Sequence, residues 1–405
     1  MQYYLMNKNR KIARIEYDAN IPGITNIYEK YDFDYAPLSV YSSQFKKDQN
    51  EIRVLNDWFK GRGIPNWRKD LDILMLKLNI NMPEELLDKA FGLSLSDQYW
   101  INPVDNPLKW EDINFFQNDF KFAGFLAASF SNEELKEKID LHSPNNTSDG
   151  MIKKAWIIEN KKRILVKGTY RNTNQEPINE WLVSQICDEL EFDYCNYDVD
   201  VLDKGLISKC ECFINENEEI ITANDIYFSK QKDNNTSDTE HYIKILESKG
   251  IQNARTEFEN MIMIDYLVMN TDRHMKNFGI IRDVNTLEWK RITPIFDTGE
   301  SMQNNKNIAE MNFRDDTGKL FTNTSKRFSS YLDLIGNPER IGLAKLNEIP
   351  TKFKNMLMKY QDVMGMEEVR VHKLVDGLKY RIDNLEYYIN HYPEVNIDEE
   401  DNLSQ

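Results

Sequence analysis

Residues 256–269 read Thr-Glu-Phe-Glu-Asn-Met-Ile-Met-Ile-Asp-Tyr-Leu-Val-Met, a helix-length run with apolar side chains on nearly every face. Only a helix buried all round satisfies such a pattern, so a substantial core must surround it. The chain can supply that core: of its 405 residues, 40% are hydrophobic and 12% aromatic, enough for about two to three domains. Eight mostly polar residues follow the run, Asn270-Thr271-Asp272-Arg273-His274-Met275-Lys276-Asn277, and then apolar Phe278-Gly279-Ile280-Ile281. That order places the polar side chains on a loop at the rim of the core.

Organisation along the chain supports a mixed fold. Residues 3–7 and 12–17 read as a hairpin, 51–60 as a helix, and Pro83 opens another with acids in its first turn. A polar, turn-rich break at 142–150 marks a boundary. Beyond it, 151–158 and 163–167 alternate as paired strands, 176–189 is helical, and 194–202, 206–213 and 219–222 are strand-like. Helices dominate from about residue 241, with two more at 352–364 and 367–388. The expected division is an N-terminal α+β region at 1–140, a β-rich unit at 141–214, a helical unit at 215–393 and an acidic disordered tail at 394–405.

Charge and cysteine usage narrow the function classes. The balance of 51 basic and 67 acidic residues leaves −16, which opposes binding to a phosphate backbone. A basic group at Arg53, Lys60, Arg62, Arg68 and Lys69 is flanked by Asp57 and Asp70 and reads as a solvated helix face. The apolar runs at 122–128 and 261–264 are far too short for a membrane span, and Asn7, Lys8 and Asn9 interrupt any signal-peptide core. A cytoplasmic protein is expected. Cys187, Cys195, Cys210 and Cys212 fit a reducing compartment, and Cys210-x-Cys212 lacks a second pair for zinc.

A second polar turn, Ile295-Phe296-Asp297-Thr298-Gly299-Glu300-Ser301, follows about twenty residues after the first. Phosphoryl transfer needs such parts: an Asp to orient the attacking hydroxyl, an Asn from the same loop and a second Asp to hold magnesium on the phosphates. Asp272 and Asn277 have the D-x-x-x-x-N spacing of a kinase catalytic loop, and Asp297-Thr298-Gly299 stands where the metal-binding D-x-G follows.

Thr-Asp-Arg-His-Met-Lys-Asn followed by Pro-Ile-Phe-Asp-Thr-Gly resembles the catalytic and metal-binding loops of HipA-like serine/threonine kinases, themselves distantly related to phosphatidylinositol kinases. The resemblance spans about residues 141–390 and implies a bilobal α+β kinase fold, ATP and Mg²⁺ as cofactors, and a protein substrate with a Ser/Thr hydroxyl. It also implies a toxin-like growth regulator with an antitoxin partner. On this reading Asp272 is the catalytic base and Asn277 and Asp297 are metal ligands. Lys167 binds phosphate, and Glu180 pairs with it. His274 braces the loop, and Arg273 and Lys276 contact either phosphate or acidic neighbours. The 143–150 segment, with Ser148 and Gly150, covers the nucleotide, although it lacks the glycine-rich pattern. Ser143, Thr147 and Ser148 are candidate self-phosphorylation positions. The backbone at 210–212, including Glu211 and Cys212, is expected to face adenine.

Two other readings compete. Asp297-Thr298-Gly299 matches the D-T-G of aspartic proteases, which would require a homodimer to bring two carboxylates together. A catalytically inactive nucleotide-binding scaffold is the other, though Asp272, Asn277 and Asp297 are all retained. A calcium loop at Asn196-x-Asp198-x-Asp200 fails at Val201 and Ile207, and neither a P-loop nor a G-x-G-x-x-G fingerprint is present.

Overall fold

A computed structural model describes residues 1–391 apart from 19, 21, 48, 67, 69, 132–138, 148–149 and 322–323. Ser148 and the expected acidic tail lie outside the described residues. The class is α+β, as the sequence predicts.

The N-terminal strands β1 (Gln2–Asn7), β2 (Arg10–Asp18), β3 (Gly23–Lys30) and β4 (Tyr99–Pro103) form an antiparallel sheet in the order β3-β2-β1-β4. Its inward residues Leu5, Ile12, Ile15, Tyr17 and Ile101 pack against Leu55 and Phe59 of the Glu51–Lys60 helix. A second antiparallel sheet comprises β5 (Lys154–Glu159), β6 (Lys162–Lys167), β7 (Tyr197–Leu202) and β8 (Gly205–Glu211), ordered β5-β6-β8-β7. Both of its two-residue turns carry positive φ at each central residue, Asn160 and Lys161 at 50° and 66°, Asp203 and Lys204 at 46° and 66°. Such mirror-image turns match the right-handed twist of the strands they join. The Glu176–Leu190 helix has Pro177 in its first turn and packs on this sheet.

Four more strands follow, β9 (Glu218–Thr222), β10 (Asp272–Arg273), β11 (Gly279–Asp283) and β12 (Trp289–Ile292); β9, β11 and β12 form an antiparallel sheet ordered β12-β11-β9. A Cβ at Gly279 would stand 2.0 Å from the Ile221 carbonyl oxygen of β9. Gly279→Ala should therefore lower stability by about 1–3 kcal/mol, read as a lower urea midpoint; an unchanged midpoint would contradict this close approach. β10 pairs in parallel with β13 (Thr317–Leu320), which continues to β14 (Ser325–Arg327).

The Ala254–Val268 helix is buried through the largest apolar core, among the helices Glu176–Leu190, Asp238–Glu247, Ile349–Lys359 and Glu368–Asn390. The helix expected over 352–364 is in fact two, Ile349–Lys359 and Gln361–Met364. Tyr360 breaks it with φ −111° and ψ 11° while its hydroxyl donates to the Val199 carbonyl at 3.1 Å. Residues of the N-terminal region also grip the stretch between β8 and β9. The Gln98 amide donates to the carbonyls of Asn215 and Glu218 at 3.3 and 3.0 Å, and Lys8 reaches the Asn217 side chain at 2.7 Å.

Candidate active site

Lys167 ends β6, where strand alternation turns it under the sheet and buries it. Its ammonium donates to Glu180 Oε1 at 2.7 Å, to Asp297 Oδ1 at 2.8 Å and to the Tyr197 hydroxyl at 3.2 Å. Three segments far apart in sequence thus meet at one nitrogen. Burial alone would pull Lys167 down, but Asp297 and then Glu180 raise it well above the usual lysine value. Burial likewise works against an ionised Asp297, but the ammonium groups of Lys167 and then Lys154 hold its carboxyl well below the usual carboxylate range. Lys167 engages Asp297 through Oδ1 and leaves Oδ2 outside that bond.

The loop bearing Asp272 is fixed from beneath by a buried ion pair. Arg273 Nε and Nη2 donate to the two oxygens of Asp265 at 2.8 and 2.9 Å, with both side chains fully buried. Its Nη1 donates to the carbonyls of Asn277 at 2.6 Å and Phe296 at 3.0 Å. One guanidinium therefore pins both polar turns to the central helix. Thr271 adds a second tie, its backbone N–H and hydroxyl both donating to the Glu300 carbonyl, at 2.8 and 3.0 Å. The sequence left open whether Arg273 meets phosphate or an acid; the acid is its partner.

Above this support, Asn277 Nδ2 donates to the Asp272 carbonyl at 3.0 Å, so its Oδ1 is the oxygen available to a ligand. Asp272 is flanked by His274 Nε2 at 3.7 Å and Lys319 Nζ at 4.0 Å. Burial raises its carboxyl above the ordinary value, with His274 opposing and Asp297 reinforcing the shift. His274 Nδ1 accepts from the Lys276 backbone N–H at 3.3 Å, a bracing contact within the loop.

The Glu176–Leu190 helix contributes more than Glu180. Asn179 Nδ2 donates to the carbonyls of Gly299 and Ser301 at 2.7 and 2.8 Å, and Gln175 reaches the Met302 carbonyl at 3.2 Å. Asp297 itself has φ 56°, a left-handed conformation that costs a non-glycine residue about 1–2 kcal/mol. The Tyr197 hydroxyl accepts its backbone N–H at 3.3 Å, and the contacts on both sides of it hold the turn in place.

Lys167, Asp272, His274, Lys276, Asn277 and Asp297 all line one cleft of about 760 Å³, as do Gly150 and Lys154. Glu180 lies behind Lys167, buried. Glu211 and Cys212 are not brought to this cleft. Glu211 is paired outward with Lys162 at 2.6 Å, and the Cys212 N–H donates to the Arg163 carbonyl at 2.8 Å. That N–H is thereby taken up by the Arg163 carbonyl at the start of β6. Of the candidate acceptor hydroxyls, Ser143 is buried, and Thr147 is buried with its hydroxyl donating to the Leu93 and Pro144 carbonyls.

Sequence reasoning missed Asn179, Tyr197, the Arg171–Glu300 pair at 2.8 Å and Lys319. Asn179 stands one residue before Glu180, on the helix face that meets the Asp297 turn. Asp297 is paired with the Lys167 ammonium at 2.8 Å, an arrangement that favours a full anion over the shared proton of a protease dyad.

Among the described residues, no three His, Cys, Asp or Glu side chains cluster as a self-sufficient metal site. One carboxylate plus one amide oxygen suits magnesium, which keeps waters and takes phosphate oxygens rather than an all-protein cage. Also among the described residues, no helix is long and apolar enough to cross a membrane.

A cleft with a buried lysine–glutamate pair and two carboxylate-bearing turns, set in an α+β fold, defines a kinase-like class. The chain belongs to the HipA-like C-terminal domain family, whose model matches residues 137–359. Its fold is similar to a chain of the Shewanella oneidensis MR-1 toxin–antitoxin complex of HipA, HipB and operator DNA. That match has TM-score 0.51 and 13% identity and covers 96% of this chain and 99% of that one. The Helicobacter pylori proinflammatory kinase CtkA matches with TM-score 0.45 and 15% identity, over 58% of this chain and 94% of that one. No curated protein matches in sequence.

Proposed function

We propose that the protein is an ATP- and Mg²⁺-dependent serine/threonine protein kinase of HipA type. The observation that carries this reading is the Lys167 ammonium bridging Glu180 and Asp297 at 2.7 and 2.8 Å in the cleft that also holds Asp272 and Asn277. Lys167 grips the nucleotide phosphates, and Glu180 keeps it aimed. Asn277 and Asp297 would hold the metal through their side-chain oxygens. When bound, Mg²⁺ neutralises charge on the phosphates being parted. Asp272 orients the acceptor hydroxyl and takes its proton. Gly150 and Lys276 lie along the phosphates, His274 braces the catalytic loop, and the adenine end falls against Phe296, whose ring packs on Phe213 at 5.5 Å.

The division into an N-terminal unit at 1–140, a small lobe at 141–214 and a large lobe at 215–393 is part of the same proposal. So are a cytoplasmic, toxin-like role in growth control and an antitoxin partner; family membership supports them, together with the fold shared with a toxin–antitoxin chain. A ligand that binds only the folded state raises the melting temperature, by the equivalent of about 2.7 kcal/mol at a hundred times Kd. Mg²⁺ with ATP should therefore raise it by several degrees, and ATP in EDTA by clearly less. A melting temperature indifferent to Mg²⁺ and ATP would contradict the reading.

A further inference from the structure

We propose that Lys319 is a further catalytic residue, its ammonium meeting the phosphoryl group as it passes to the acceptor hydroxyl beside Asp272. The inference rests on the kinase reading above and adds a residue that the motif does not contain.

Its position is fixed by the backbone. β13 runs parallel to β10 with Lys319 registered on Asp272, and the Lys319 N–H donates to the Thr271 carbonyl at 3.2 Å. Residues paired across a sheet project from the same face. Gly318 and Leu320, on either side, are buried on the opposite face, so Lys319 has to face the cleft. A Cβ at Gly318 would meet the Phe328 ring at 2.8 Å and the Asn270 carbonyl oxygen at 2.9 Å, so the strand lies tight against the catalytic loop. The Tyr331 hydroxyl donates to the Lys319 carbonyl at 3.2 Å. Register, strand and side-chain direction are all constrained.

The side chain differs from two other cations of the cleft. Lys167 is tied to Glu180 and Asp297 at 2.7 and 2.8 Å, and Arg171 to Glu300 at 2.8 Å. Lys319 is 44% exposed and stands 4.0 Å from Asp272, an ion pair at the limit of contact. It stands farther from its carboxylate than Lys167 and Arg171 stand from theirs. A chain of net charge −16 repels a polyphosphate at long range, so a cation at the point of transfer has an evident use.

In the transfer step the hydroxyl oxygen forms a bond to the γ-phosphorus of ATP while the bond to the β–γ bridging oxygen breaks. The electron pair of that bond leaves with ADP, and the hydroxyl proton passes to the Asp272 carboxylate. The phosphoryl oxygens, crowded against that carboxylate during the passage, gain the Lys319 ammonium as a counter-charge. Removing one such preorganised group commonly costs about 10²–10³-fold in turnover.

The test is phosphotransfer by the full chain with Mg²⁺ and ATP, comparing the native protein with Lys319→Ala and Lys319→Arg, alongside ATP affinity and melting temperature. Expected is a fall in kcat of about a hundredfold for Lys319→Ala. KM for ATP should stay within about threefold, the melting temperature should be unchanged, and Lys319→Arg should regain most of the loss. A Lys319→Ala protein with native kcat, or a loss confined to KM, would overturn the assignment while leaving the kinase reading intact. A native protein without phosphotransfer would overturn the kinase reading itself, and this inference with it.

Discussion

Asp297→Asn is expected to abolish phosphotransfer, by about three orders of magnitude or more, while the protein stays folded. The substitution keeps the shape of the side chain and an oxygen to accept from Lys167, but it removes the negative charge. That charge is secured in the native protein: Lys167 lies 2.8 Å away and its own charge is shared with Glu180. Without it the proposed metal would lose the charged ligand on this turn, whereas Lys167 retains the buried Glu180 as counter-ion, so the core is not left with an unpaired cation. Incubation with Mg²⁺ and ATP followed by intact-mass analysis and a melting curve reads both effects. Equal phosphate incorporation by native and variant proteins would contradict the role of Asp297.

Asp265→Ala should produce the largest loss of stability, about 3–5 kcal/mol. Both Asp265 and Arg273 are fully buried and joined by two hydrogen bonds of 2.8 and 2.9 Å, so truncating the acid strands a guanidinium in the core. Activity should fall in the folded fraction as well, because the same guanidinium holds the Asn277 and Phe296 carbonyls. Urea unfolding measures the first effect and phosphotransfer per folded molecule the second. A stability change under about 1 kcal/mol would show that the pair does not carry the load its burial implies.

The site was legible in part because its chemistry is concentrated in two short segments. Asp272, Asn277 and Asp297 stand out by type and spacing, and the apolar run at 256–269 announces the buried helix that presents them. Lys167 and Glu180 could be placed once those were fixed, since a strand end and the next helix are local features. The supports were not legible. Arg273 with Asp265, Asn179 with the Gly299 carbonyl, and Lys319 beside Asp272 are pairings across loops, and four residues of strand at 317–320 give too short a pattern to read. That Glu211 and Cys212 lie outside this cleft was not legible either, because alternation shows that a strand exists but not which edges of its backbone neighbours already fill. Tyr360 interrupts a helix without proline or glycine, through a tertiary bond to Val199 that local propensity cannot encode.

The most direct measurement is a crystal structure of the full chain grown with Mn²⁺ and a non-hydrolysable ATP analogue, with anomalous scattering used to locate the metal. Manganese is expected between Asn277 Oδ1 and the Asp297 carboxylate, touching the analogue's phosphates, with Lys167 against those phosphates and Asp272 facing the terminal one. A metal bound elsewhere, or an analogue lodged away from Lys167, would contradict the assignment of this cleft to phosphoryl transfer.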